Sequence, residues 1–354
     1  MPSESIQSTM SLRSWALLLL LSMLWGGSFF FVAIVVRAIP PVTLAATRVA
    51  VGAIILWTVI ALKRAPVTTS PKIARAFLVM GIFNNALPFV LIAWGQTRIA
   101  SGLASILLAS TPLFTVWVAG TLLRDERFTF LKVLGTLVGF SGTALMIGVG
   151  ALKGLGQDVP GQLAILGAAV SYSVAGVYGR RFRTLQVSPM LTAAGQVTAS
   201  SLLLVPMALV VDRPWTLPTP GPGVWAALLA LGALSTGLAY ILYFRLLADA
   251  GALNVLLVTY LVPVSAIVLG SRVLGERLHA LHFAGMALMA LGLSAIDGRV
   301  WGAGFQFAQR WNLLGRPWGP GVRPDRFPPP ASVRARPSAG PDTPPGRNHP
   351  QNWN

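Results

Sequence analysis

Polar and apolar residues do not alternate along this chain at the period of a strand or of a half-buried helix. The polar residues gather in short clusters that separate long apolar runs. A run of about 20 apolar residues is what a helix needs to cross the hydrocarbon core of a bilayer. Only helices and closed barrels satisfy every backbone group there. Ten runs qualify, at residues 15–36, 42–62, 73–94, 102–123, 130–150, 161–179, 189–211, 223–247, 252–271 and 280–296. They predict an all-α polytopic membrane protein with ten transmembrane helices. The first run follows Arg13 as the core of a signal peptide would, but the nine runs after it and its unbroken length make it an uncleaved first helix.

Two of the polar clusters match each other. ERFTFLKVLG at residues 126–135 and ERLHALHFAG at residues 276–285 hold a glutamate, an arginine and a glycine at one spacing. A shift of 150 residues aligns Glu126 with Glu276, Arg127 with Arg277, Gly135 with Gly285 and Gly142 with Gly292. Gly81 meets Gly232 and Pro41 meets Pro189 at nearly the same offset. The chain therefore reads as a five-helix unit used twice, at 15–150 and 161–297. A cytoplasmic arm (1–14) precedes the first unit, a Gly-rich linker (151–160) joins the two, and a tail (298–354) follows. Five crossings is an odd number, so the second unit enters the membrane from the opposite face. Inverted repeats of this kind are a recurring design of secondary transporters. Some channels use them too.

Composition agrees with the membrane reading. Hydrophobic residues make up 54% of the chain and charged ones only 10%, against about 25% charged in an ordinary soluble domain. The absence of cysteine removes disulfides, thiolate metal sites and cysteine nucleophiles. A net charge of +17 could suggest nucleic acid, but the basic residues sit between the apolar runs and in the tail. With the N-terminus inside, twelve Lys and Arg fall on the cytoplasmic side and six on the other. That bias places both termini in the cytoplasm, so the charge reads as topology in a lipid bilayer, with no nucleic acid as partner; a small-molecule substrate is the other partner expected.

LWGGSFFFV in the first run, PPVTLAATR entering the second and ASILLASTPLFTVWVAGTLLRDER in the fourth complete a pattern with the doubled glutamate. Over residues 12–297 the chain resembles the EamA-type transporters of the drug/metabolite transporter superfamily. The resemblance implies a bacterial inner-membrane carrier with a central cavity built from both halves. It implies export of an amino acid, an amine or a similar amphipathic solute, with no cofactor. The second half departs from the pattern: Tyr172 stands where Trp25 stands in the first, and Pro263 is one residue off the position matching Pro112.

Several polar and aromatic residues inside the runs are candidates for the site. Arg48 is a charged residue within a run, and an unpaired cation at that depth must face a cavity, a partner or the interface. Two readings are open: an anchor for a substrate carboxylate or phosphate, or a long stem snorkelling to headgroups. Gln196 is its counterpart in the second half. Asn84 and Asn85 precede Pro88, which removes a backbone donor and loosens the helix; one amide is expected to line a cavity and the other to bind a neighbouring helix. Ser235, Thr236 and Tyr240 occupy the matching stretch. Trp25 and Tyr172, deep in their runs, are candidate walls, with Tyr243 and Trp94 as further aromatic candidates, and Tyr260 beside Pro263 marks a helix break.

The remaining features read as scaffold. Glu126 and Glu276 stand at the starts of the fifth and tenth runs, where a carboxylate meets the positive end of a helix. Gly135, Gly139 and Gly142 share one face, as do Gly285 and Gly292, and small residues so spaced let membrane helices approach closely. The same face would suit a homodimer. Glu276, His279 and His282 are spaced as a metal cluster could be, but no fourth ligand is in view and no metal is expected. No Asp or Glu lies in the middle of a run, so a buried proton-coupling acid is not supported. The tail, with eight Arg and eleven Pro, is expected to be disordered.

The rival classes are weaker. Nothing matches HExxH, GxSxG or a Walker A loop, so an enzyme is not expected. A channel or non-transporting scaffold is the alternative, and a nucleotide-sugar or sugar-phosphate antiporter would find one arginine thin provision for a doubly charged phosphate.

Overall fold

The computed structural model describes residues 11–123, 128–152, 159–255 and 257–297. Glu126, most of the N-terminal arm, the centre of the linker and the tail lie outside the described residues. Those described form helices and connecting turns, with no strand among them. In chain order the long helices are α1 (Leu12–Val35), α2 (Pro41–Leu62), α3 (Pro71–Gln96), α4 (Ser101–Leu122), α5 (Phe130–Leu152), α6 (Val159–Gly179), α7 (Pro189–Val211), α8 (Pro222–Gly251), α9 (Val258–Val273) and α10 (Ala280–Asp297). Among the described residues seven helices are long and apolar enough to cross a membrane, while Phe130–Met146, Val258–Val273 and Ala280–Ile296 are shorter apolar helices.

Local sequence explains where the helices start. Ser70 and Ser188 each accept a hydrogen bond from the backbone N–H three residues on, and a proline follows each at the first helical position. The serine satisfies an otherwise orphaned donor, and the proline gives up an N–H that had no partner anyway. Gly251, at φ 78°, ends α8. A helical turn over 252–255 follows it, and the main helix of the run expected at 252–271 starts at Val258.

Two helices carry a π turn in mid-course, Ile82–Ala86 in α3 and Ala233–Leu238 in α8. They occupy matching positions in the two halves. In the first, the N–H of Leu87 reaches back five residues to the Ile82 carbonyl. In that register Pro88 would have donated to Phe83, and it has no N–H to give. Ser171 of α6 donates to the Phe83 oxygen instead, at 2.7 Å.

Close packing runs between the halves. Thr43 of α2 lies against Asp212 at the end of α7, and Trp57 against Thr198, so these repeat-related helices run antiparallel. α5 and α10 do the same: Gly142 faces the backbone of Gly285, and Gly135 that of Gly292. A Cβ added at Gly142 would stand 2.5 Å from the Gly285 oxygen. The glycine face is thus filled within the chain. A homodimer would have to use another surface.

Candidate functional site

A cavity of about 510 Å³ lies among the helices of both halves. α1, α2, α3, α4, α6, α7, α8 and α9 all contribute to its wall, whereas α5 and α10 contribute nothing among the described residues. Its lining runs from Arg48 toward Gly179 and Phe182, beside the basic cluster Arg180, Arg181 and Arg183.

Arg48 is buried, with 6% of its surface exposed. Its Nε donates to Thr236 Oγ1 at 3.0 Å, and its guanidinium carbon stands 3.7 Å from the centroid of the Phe89 ring. Thr236 belongs to the α8 π turn. Gly232, one turn earlier, lets α2 come close, since a Cβ there would stand 3.1 Å from the Arg48 carbonyl. The snorkelling alternative is therefore excluded: this side chain lines the cavity.

The repeat-related position is built the same way with different chemistry. Gln196 accepts from Asn84 Nδ2 at 2.9 Å, Asn84 sits in the α3 π turn, and Gly81 brings α7 close. Asn84 also donates to the Tyr240 hydroxyl at 3.1 Å, and that hydroxyl donates to Asn85 Oδ1 at 3.0 Å. Asn84 lines the cavity; Asn85 is fully buried behind it.

Trp25, Tyr172, Gln196 and Tyr240 also line the cavity, with the Trp25 ring 5.6 Å from that of Tyr243. One expectation is corrected. Tyr260 is not a lining residue: it is 39% exposed, and its neighbours Val258 and Thr259 face the cavity instead. Trp94 lies outside it as well, under the Arg98 guanidinium at 4.6 Å. Phe89, Phe244 and Gly176 belong to the wall without having been singled out. The glycines of α6 were the available signal, since a side chain at Gly176 would enter open space.

Glu276 also departs from expectation. Its carboxylate accepts from Ser101 N, Ser101 Oγ and Gly102 N at 2.8, 2.9 and 3.1 Å, so it caps α4 and not the start of α10. Asp212 similarly accepts from Thr43 N and Oγ1, at the start of α2, at 2.7 and 2.8 Å. Both ties join the halves, away from the lined end of the cavity. With Glu276 so engaged, the His279 N–H donates to His282 Nδ1 at 3.2 Å, and no metal-holding group occurs among the described residues.

The model of the EamA-like transporter family matches the chain twice, over residues 13–148 and 159–296. The chain belongs to that family. It is a multi-pass membrane transporter, and the double match agrees with the duplication seen at Glu126 and Glu276. The EamA-like chain is 26% identical, over 77% of its length and 87% of the relative, to a protein of Escherichia coli (strain K12) named "Uncharacterized inner membrane transporter YedA". It is 28% identical, over 60% of its length and 69% of the relative, to a protein of Streptantibioticus cattleyicolor named "Probable terminal-alkyne amino-acid exporter". One crystal structure is similar with a TM-score of 0.56 over 80% of this chain and 96% of its own, at 21% identity, which speaks for the fold alone.

Proposed function

We propose that the chain is a secondary carrier of the inner membrane of a bacterium, with ten crossings, both termini in the cytoplasm and two inverted repeats that alternate access to the cavity. Its cargo is a small amphipathic solute of the amino acid or amine class, and the direction is export. The single observation that carries this reading is a cavity walled by both halves and lined by one buried arginine. The names of the inner-membrane relative and of the amino-acid exporter support it.

The lined end of the cavity faces the Arg180–Arg183 cluster, which the positive-inside bias puts in the cytoplasm. On this reading the conformation is inward-facing, and the Asp212–Thr43 and Glu276–Ser101 ties close the outer end. The test is flux in proteoliposomes: saturation and acceleration by solute on the far side are expected of a carrier. A linear, non-exchanging flux would make it a channel. Because the chain has no cysteine, single cysteines at residues 127 and 277 can be labelled from either side. Labelling of both from one side would end the inverted-repeat reading.

A further inference from the structure

We propose that the cavity selects organic monoanions: a carboxylate on Arg48, with an uncharged aryl body against the aromatic wall, and that it does not take amines. The inference rests on the carrier reading and departs from the amino acid or amine cargo named there, keeping the carboxylate and excluding the ammonium.

The charge inventory is one-sided. Arg48 is the one charged residue among those lining the cavity, and no Asp, Glu, Lys or His lines it among the described residues. A guanidinium presents five N–H donors in a planar fork. Here one hydrogen bond to it is made among the described residues, through Nε to Thr236. Two pairs of donors on the terminal nitrogens remain for a ligand, in the arrangement that a carboxylate meets with two parallel bonds. Ser235 is a lining residue, and its buried Oγ has no hydrogen-bond partner among the described residues. It is a further donor for an anion.

An ammonium would find the reverse. It would bring a second positive charge into a site of low dielectric where Arg48 already stands uncompensated, and like charges there repel far more than in water. A phosphate dianion would leave its second charge unpaired, because the repeat-related position holds Gln196, whose oxygen already accepts from Asn84. A monoanion balances the site. The body of the solute is set by Trp25, Tyr243 and Phe244, which offer ring faces, and by a volume in the range of small-molecule sites.

Three solutes of one shape separate the charges: 3-phenylpropionate (carboxylate), L-phenylalanine (zwitterion) and phenethylamine (ammonium). Binding to the full chain in detergent, followed by calorimetry, is expected to be at least about tenfold tighter for 3-phenylpropionate than for phenethylamine, with L-phenylalanine between. Arg48→Gln is expected to abolish the difference. Arg48→Lys, which keeps the charge and loses the fork, should retain the order of preference with weaker binding, and it serves if the glutamine variant does not fold.

Equal or tighter binding of phenethylamine, no binding of 3-phenylpropionate, or unchanged binding in a folded Arg48→Gln protein would each overturn the proposal. Exchange in proteoliposomes reports separately on the carrier reading. Binding with the expected order but no exchange would refute the carrier reading and leave the charge selection intact; exchange of the amine would do the opposite.

Discussion

α5 and α10 are related by the repeat, as are α2 and α7, and both pairs run antiparallel. The first pair meets glycine to backbone: Gly135, Gly142, Gly285 and Gly292 leave no space for a Cβ on either side. The second pair carries Arg48 and Gln196 on the cavity, each reached by a π turn from the opposite half. One symmetry relation thus yields a welded seam and a polar site. In a membrane, where apolar side chains gain nothing by leaving lipid for each other, close packing is what holds helices together. The seam can be pure scaffold because, among the described residues, it contributes nothing to the cavity, and the other pair is free to carry chemistry because the seam does not.

The largest expected effect follows from closing the seam. Gly142→Leu would drive a side chain into the Gly285 backbone and Leu288, and such overpacking costs about 1–3 kcal/mol or more. Most of the protein should then fail to elute as a folded monodisperse species. Elution like the parent would mean that α5 and α10 do not meet as described. On the cavity side, a Cβ at Gly176 meets nothing within 4 Å, so Gly176→Leu would start into open space. That variant should fold with a melting temperature near the parent's and lose most of its solute binding, which calorimetry would read. If both substitutions behave alike, the division between seam and site is wrong.

Which parts of this were legible in the sequence depends on how far apart the interacting residues are. Helix starts such as Ser70-Pro71 and Ser188-Pro189 are written within four residues, and the repeat needs only comparison of the chain with itself. The glycine faces were legible for the same reason, though not that they meet each other. Glu276 shows the limit: its three donors are 174 and 175 residues away, and a carboxylate four residues before a helix looks like a cap for that helix. Pro88 announced an irregular α3, but which helix would supply the donor for Phe83 is a tertiary fact. Tyr260 failed because proximity to a proline says nothing about which face of the helix turns inward.

The carboxylate ties between the halves offer a smaller test of the comparison. Glu276→Gln keeps an acceptor but loses the charge that strengthens bonds to backbone N–H groups. Loss of a helix cap costs about 0.5–2 kcal/mol, so a melting temperature a few degrees lower is expected. Asp212→Asn should act similarly on α2. An unchanged melting temperature in both would show that these ties do not hold the halves together.

The smallest effect is expected inside the site. Tyr240→Phe removes a hydroxyl that accepts from Asn84 and donates to Asn85. A hydrogen bond of this kind contributes about 0.5–1.5 kcal/mol net, but the two partners are not equally dependent on it. Asn84 keeps its bond to Gln196 and faces the cavity, where water can replace the hydroxyl. Asn85 is fully buried, and its Nδ2 already has no partner among the described residues, so its amide would be left with neither end satisfied. The loss should therefore appear as a modest fall in stability with solute binding little changed. Asn85→Leu in the same background should restore part of the stability, because it removes the stranded amide. A binding defect larger than the stability defect would instead make the Tyr240 hydroxyl a direct ligand of the solute.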